Sequence, residues 1–169
     1  MEVFDALFGR RSIRKFTSQP ITEEEIQRML SAAMAAPSAG NAQPWRFVVV
    51  TERALLDTLH TVNPYAAMAK QAPLAIVVCA DVNAEKYKNY WVQDCSAAMQ
   101  NLLLAVHAMG LGAVWTGVHP VQERVTGFST MFALPENIVP LGIAIIGHPD
   151  QSLPPHSEYD ATKVHYNQW

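Results

Sequence analysis

Apolar positions repeat along this chain with two different periods, and the alternation between them outlines the fold. Val3, Phe4, Leu7 and Phe8 fall at helical spacing, and the run stops at Gly9. Pro20-Ile21-Thr22 then leads into a helix with a capping box, Thr22 to Glu25, and acidic residues in its first turn. Its apolar face is Ile26, Met29, Leu30, Ala33 and Met34, and Pro37 must end it. A loop of small residues follows, from Pro37 to Pro44.

Trp45 to Val50 reads as a strand, with Phe47-Val48-Val49-Val50 as its apolar run. Leu55, Leu56 and Leu59 mark a helix. Leu74 to Cys79 is apolar at every position rather than at alternate ones, which predicts a strand covered on both faces. Trp91 to Met109 predicts the longest helix, followed by a short strand at Ala113 to Trp115. Val121 to Phe132 reads as helical and Leu141 to Ile146 as a further buried strand. Pro149, Pro154 and Pro155 predict an extended rather than helical ending.

Helices and strands mix without strict alternation, and no repeat or linker interrupts them. The expectation is one α+β domain spanning 1–169: a central mixed, largely antiparallel sheet flanked by helices.

Composition adds one point. Half the residues are hydrophobic and only 16% are charged, against roughly 25% charged in an ordinary soluble domain. Such a surface predicts apolar area covered by another subunit. A net charge of −3 gives no general attraction to nucleic acid or anionic membranes. No charged residue lies between Asp94 and Glu123, but Gln100, Asn101 and His107 with two glycines break the stretch, so it reads as a buried helix and strand, not a membrane span. Cys79 and Cys95 have neither redox nor metal spacing, and the six histidines form no ligand motif. With no basic-apolar leader at Met1-Glu2, the expected location is the cytoplasm.

Four segments carry candidate chemistry. Gly9 to Phe16 packs Arg10, Arg11, Arg14 and Lys15 into six residues. In an extended strand Arg10, Ser12 and Arg14 point to one side, and forked guanidinium donors suit a phosphate. The same segment can instead be a solvated basic stretch that satisfies the carbonyls of the preceding helix. The loop from Pro37 to Trp45 offers Asn41 and Gln43, whose amides can read the edge of a heteroaromatic ring, or it is a plain helix-to-strand connection. Gly110 to Gly117 ends a strand in Trp115-Thr116-Gly117, where backbone N–H groups can face a cleft at the sheet edge. Gln93 to Ala105 is rich in alanine, suited to tight packing in a core or a dimer seam, and Asp94 near its start reads as structural.

Taken in order, RRSIRKF, APSAGNAQPW, QDCSAAMQNLLLA with GLGAVWTG, GIAIIGHP and the tail VHYNQW resemble the nitroreductase family of flavoproteins, over nearly the whole chain. The resemblance implies FMN as cofactor, NADH or NADPH as hydride donor, and a nitroaromatic, quinone or similar small-molecule acceptor. It assigns Arg10 and Ser12, with Arg11 beside them, to the FMN phosphate, and Arg14 to the pyrimidine side. Pro37, Ser38, Ala39 and Asn41 match a loop that reaches the flavin from the other subunit. Trp115, Thr116 and Gly117 match the segment facing the reactive flavin nitrogen. No side-chain acid or base is implied. The family fold adds an intertwined homodimer in which the C-terminal arm is exchanged onto the partner's sheet. Glu158 stands where many relatives carry a basic residue, and Met68 takes the place of another. A different flavin chemistry, such as reductive dehalogenation, and a non-catalytic flavin-binding protein are the alternatives.

Overall fold

The computed structural model describes residues 1–156 and 158–169. Five α-helices and four strands appear among them: α1 (Val3–Gly9), α2 (Glu23–Met34), β1 (Trp45–Val50), α3 (Arg53–Val62), β2 (Leu74–Asp81), α4 (Trp91–Ala108), β3 (Gly112–Gly117), α5 (Gln122–Met131) and β4 (Ile138–Gly147). Short 3-10 turns occur at Ala39–Asn41, Pro64–Lys70 and Ala161–Lys163. The last of these interrupts the ending that its prolines predict to be extended throughout.

The four strands form one sheet in the order β1-β2-β4-β3, and every neighbouring pair is antiparallel. Helix α4 carries the chain across one face from β2 to β3, so these two strands point the same way. β4 then inserts between them in the opposite direction. The mixed character read from the sequence reduces to an isolated parallel bridge between Ser12 and Ala113.

β2 explains why its sequence shows no alternation. Leu74, Ile76, Val78 and Ala80 pack into a core with Met29 of α2 and Met99 and Leu102 of α4. Ala75, Val77 and Cys79 pack on the other face with Leu56 and Leu59 of α3, Ala66 and Ala69 of the 3-10 turn, and Phe128 of α5. Helices cover both faces, so both sets of side chains must be apolar, although the sheet is antiparallel. α2 begins as its sequence predicts: the Thr22 hydroxyl accepts from the Glu25 N–H at 3.2 Å, and the Glu25 carboxylate accepts from the Thr22 N–H at 2.7 Å.

Two elements are left without a core of their own. α1 has no buried residue, and its Phe4 and Phe8 stack on each other in solvent. The ending carries Tyr159, Tyr166 and Trp169, all exposed, and forms no strand among the described residues. Strand β1 is a sheet edge, and Phe47 and Val48 on it are half-buried while Val49 is exposed. No helix among the described residues is long and apolar enough to cross a membrane.

Candidate active site

The basic segment is held in place by strand-like bonds to β3 and to the chain after β4, where the Asp150 N–H donates to Lys15 O at 2.9 Å, and by the buried side chains of Ile13 and Phe16. The Arg10 N–H donates to Ala6 O at 3.1 Å, ending α1. The chain then runs extended beside β3, where the Ile13 N–H donates to Ala113 O at 2.9 Å. Ile13 is buried over Gly112, whose missing side chain makes room: a Cβ there would lie 2.8 Å from Ile13. With Ile13 turned inward, Ser12 and Arg14 face out. Arg10, Ser12 and Arg14 line one cleft of about 450 Å³ together with His156, as their parity predicts. The Arg11 side chain also reaches that cleft, but its guanidinium donates to Pro154 O, which ties the start of the C-terminal arm to this segment. Among the described residues, no carboxylate pairs with Arg10, Arg11 or Arg14.

β3 supplies the adjoining walls. Trp115 and Gly117 line a cleft of about 640 Å³ with Arg10 and Ser12, and another of about 460 Å³ with Arg14, Thr116, Tyr65 and Met68. The three clefts share lining residues and adjoin one another in a groove along the edge of β3, each in the size range of small-molecule and cofactor sites. A Cβ on Gly117 would meet nothing within 4 Å, so the backbone there faces open space into which a flat ring can come close. The Ala113 carbonyl points away from β4, toward Ile13. Backbone groups two residues apart in a strand share a side, so those of Trp115 and Gly117 also face this groove rather than the ladder. Cationic forked donors at one end and an open backbone edge at the other fit a phosphorylated planar cofactor such as FMN.

The positions where relatives carry basic residues are now placed. Met68 lines the groove, whereas Lys70 lies in a separate cavity with Phe16 and Arg53. Glu158 is exposed, and Lys163 pairs with Asp160 at 3.2 Å. Leu153 and His156 of the tail reach the cationic end of the groove, and the His156 backbone N–H donates to Phe8 O at 2.9 Å.

The loop carrying Pro37, Ser38, Ala39 and Asn41 is not brought to this groove within the chain. It is anchored to the start of α4: the Ala39 N–H donates to Asp94 Oδ1 at 2.8 Å, and the Gln43 N–H donates to Ser38 Oγ at 2.9 Å. Gly40, Asn41 and Gln43 adopt positive φ, and Gly40 tucks under Lys86 and Tyr87. Asp94 is 5% exposed, and its role is to hold this loop. Arg10, by contrast, lies near His107 at the other end of α4 and depresses its pKa, second to the effect of burial. Thirteen residues of helix separate Asp94 from His107, roughly 20 Å along the axis. Within one chain, then, Arg10 and the loop sit toward opposite ends of α4, while the cleft that holds Trp115 and Gly117 runs along α4 as far as Val92 and Ser96, and none of Pro37, Ser38, Ala39 or Asn41 lines it.

Asn63, Thr116 and Asp94 are the buried polar or charged residues of the described chain. Asn63 was not singled out from the sequence. Its Nδ2 donates to Thr116 Oγ1 at 3.2 Å and to Gly117 O at 3.1 Å, while Oδ1 accepts from the Tyr65 N–H at 3.1 Å. The Asn63-Pro64 pair is a signal for the start of a helical turn, but nothing local in it points to β3. Cys79 and Cys95 are both buried free thiols, pushed up to about 12 by burial.

Comparison with known proteins agrees with this geometry. The family model described as the nitroreductase family matches residues 7–148. A protein of Methanothermobacter thermautotrophicus, itself provisionally assigned as an NADH dehydrogenase or NAD(P)H nitroreductase, is 45% identical over 169 residues, covering all of this chain and 88% of its own. The structure of an FMN-dependent nitroreductase from Clostridium difficile superposes with a TM-score of 0.92 at 28% identity, covering 99% of this chain and 100% of that one. The structure of an NADPH:FMN oxidoreductase from Vibrio harveyi, complexed with NAD+, superposes with a TM-score of 0.86 at 30% identity, covering 98% and 77%. The chain belongs to the nitroreductase family.

Proposed function

We propose that the whole of 1–169 acts as one FMN-dependent oxidoreductase unit that takes electrons from NADH or NADPH and passes them to a nitroaromatic, quinone or similar small acceptor. The observation that carries the reading is the groove on the β3 edge, with Arg10, Ser12 and Arg14 at one end and the open backbone of Gly117 at the other. FMN, when bound, supplies the capacity to accept a hydride and give its electrons on. The chain's own residues do the rest. Arg10 and Ser12 hold the phosphate, with Arg11 beside them and His156 supplying the tail donor that Glu158 does not. Arg14 meets the pyrimidine side. Trp115, Thr116 and Gly117 form the wall behind the ring, and Met68 closes the edge without adding charge.

Pro37, Ser38, Ala39 and Asn41 complete the site of the partner subunit. None of them lines the groove of their own chain, which supports a homodimer in which each site takes residues from both chains. Exposed apolar side chains on α1 and on the C-terminal arm support the same assembly. Among the described residues, the β3 edge is bridged by Ser12 while β1 keeps an open edge, so β1 is the strand to which the partner's arm adds. Buried free thiols fit a reducing cytoplasm.

The test is direct. The purified protein is expected to bind FMN and turn yellow, and the colour is expected to bleach on anaerobic addition of NADH or NADPH and return with a quinone. Yellow protein that neither nucleotide bleaches would mark a flavin binder instead. Failure to take up FMN at all would overturn the reading.

A further inference from the structure

The reading above makes Gly117 the point where the chain's backbone faces the cofactor ring, and the inference here rests on that reading. A glycine at the tip of a strand is poorly suited to the task by itself, because its backbone is the freest of any residue. Three contacts behind it remove that freedom. The Gly117 carbonyl accepts from Asn63 Nδ2 at 3.1 Å and from Arg124 Nη1 at 3.1 Å, so both of its lone-pair directions are engaged. The next amide, Val118 N–H, donates to Leu141 O of β4 at 3.1 Å. The peptide plane beyond Gly117 is therefore pinned at both its oxygen and its nitrogen.

Neither donor is adventitious. Asn63 is wholly buried, and its other side-chain atom caps the 3-10 turn through the Tyr65 N–H. It also donates to Thr116 Oγ1 at 3.2 Å, tying that side chain to the same buried amide. Arg124 comes from α5 and lies over the Tyr65 ring, 5.1 Å from its centroid, which fixes its guanidinium against the same turn. Tyr65 thus supports both donors, one through its backbone and one through its ring.

We infer that Asn63 and Arg124 are positioning residues: by fixing the peptide that follows Gly117 they restrict rotation about its Cα and so hold its N–H toward the groove, setting the balance between oxidised and reduced cofactor. With FMN bound, that N–H would be placed to donate to the acceptor that the ring edge offers when oxidised and lacks when reduced and protonated. Loosening the clamp therefore weakens oxidised FMN more than reduced FMN and raises the potential.

The experiment compares Arg124→Met, Arg124→Lys and Asn63→Asp with the parent, using FMN in both redox states as the probe. Asn63→Asp keeps the acceptor for Tyr65 and loses the donor to Gly117. For Arg124→Met and Asn63→Asp, the ratio of affinities for oxidised and reduced FMN is expected to change about tenfold, equivalent to about 30 mV for a two-electron couple. Arg124→Lys, which keeps a donor, is expected to restore most of it. In the FMN-free chain, hydrogen exchange at the Val118 amide, which donates to Leu141 O, is expected to quicken in the same order. Arg124 is only half-buried, so its variants decide the matter if the Asn63 variant does not fold. Variants that keep the parent's affinity ratio and exchange rate overturn the clamp while leaving the flavin reading intact. A parent chain that takes up no FMN overturns both.

Discussion

Replacing Arg10 by alanine separates the binding of the cofactor phosphate from the stability of the fold. Arg10 ends α1 through its backbone N–H, which the substitution keeps, and its side chain faces the groove with no carboxylate partner among the described residues. Removing it therefore strands no buried charge, and the loss falls on the ligand. A hydrogen bond to a charged group contributes about 1.5–3 kcal/mol. That corresponds to a tenfold to hundredfold weaker Kd for FMN, with roughly 1.4 kcal/mol per factor of ten. Arg10→Lys keeps the charge but not the fork and is expected to fall between the two.

The assay is a fluorescence titration with FMN at fixed salt, beside circular dichroism to confirm the fold. A second reporter sits next to the site. Burial, and then Arg10, lower the pKa of His107 from its ordinary 6.5. In Arg10→Ala the His107 titration followed by NMR should move upward. The sign for stability follows. The unfolded chain takes up that proton first as pH falls below 6.5, so the parent loses stability over this window. Arg10→Ala should lose less. An Arg10→Ala protein that binds FMN as tightly as the parent would refute the phosphate assignment, whatever happens to His107.

Other expectations follow from single contacts. Thr22→Ala removes the cap of α2 and should cost about 1 kcal/mol, seen as a Tm lower by roughly 2–4 °C. The backbone and hydroxyl of Thr22 hold the Glu25 carboxyl below its usual range, so this contribution is present above pH 4.5 and fades as pH falls through the lowered value. A Thr22→Ala protein with unchanged Tm at pH 7 would contradict it. Gly142→Ala places a Cβ 2.3 Å from Trp115 Nε1 and 3.2 Å from Thr116 O, so the indole must leave its place in the groove. A shifted tryptophan emission and a raised KM for the acceptor are expected, and unchanged values of both would show that the wall is not where Trp115 stands. Removing residues 158–169 should abolish the dimer and with it tight FMN binding. A truncated protein that elutes as a yellow dimer from a sizing column would show the arm to be dispensable.

Local sequence was enough for the elements and for part of the site. The capping box of α2, the unbroken apolar run of β2 and the glycine that ends α1 are short-range signals, because hydrogen-bond geometry and side-chain period act within a few residues. Parity alone put Arg10, Ser12 and Arg14 on one side, since an extended chain alternates whatever it packs against. The order of five weak motifs then led to the family, and the comparisons agree. The turn at Pro64–Lys70 escaped because it is short and its apolar residues are mainly alanines. The turn at Ala161–Lys163 escaped because the prolines around it obscure an Asp160 cap.

What the amino-acid order by itself determined was therefore local: where helices start and stop, which strand is covered on both faces, and which cations share a side. Tertiary structure alone decided the rest. It laid the Arg10–Arg14 segment against the edge of β3 through a bond from Ile13 to Ala113, a hundred residues away in sequence. It set the loop at Ala39 on Asp94, at the far end of α4 from Arg10. It also brought Asn63 to Gly117. Each of these depends on how the sheet is ordered, β1-β2-β4-β3, and on which helix crosses it. Such contacts pair residues distant in sequence and leave no periodic trace in the chain, because their energy is gained only once the intervening segments have packed.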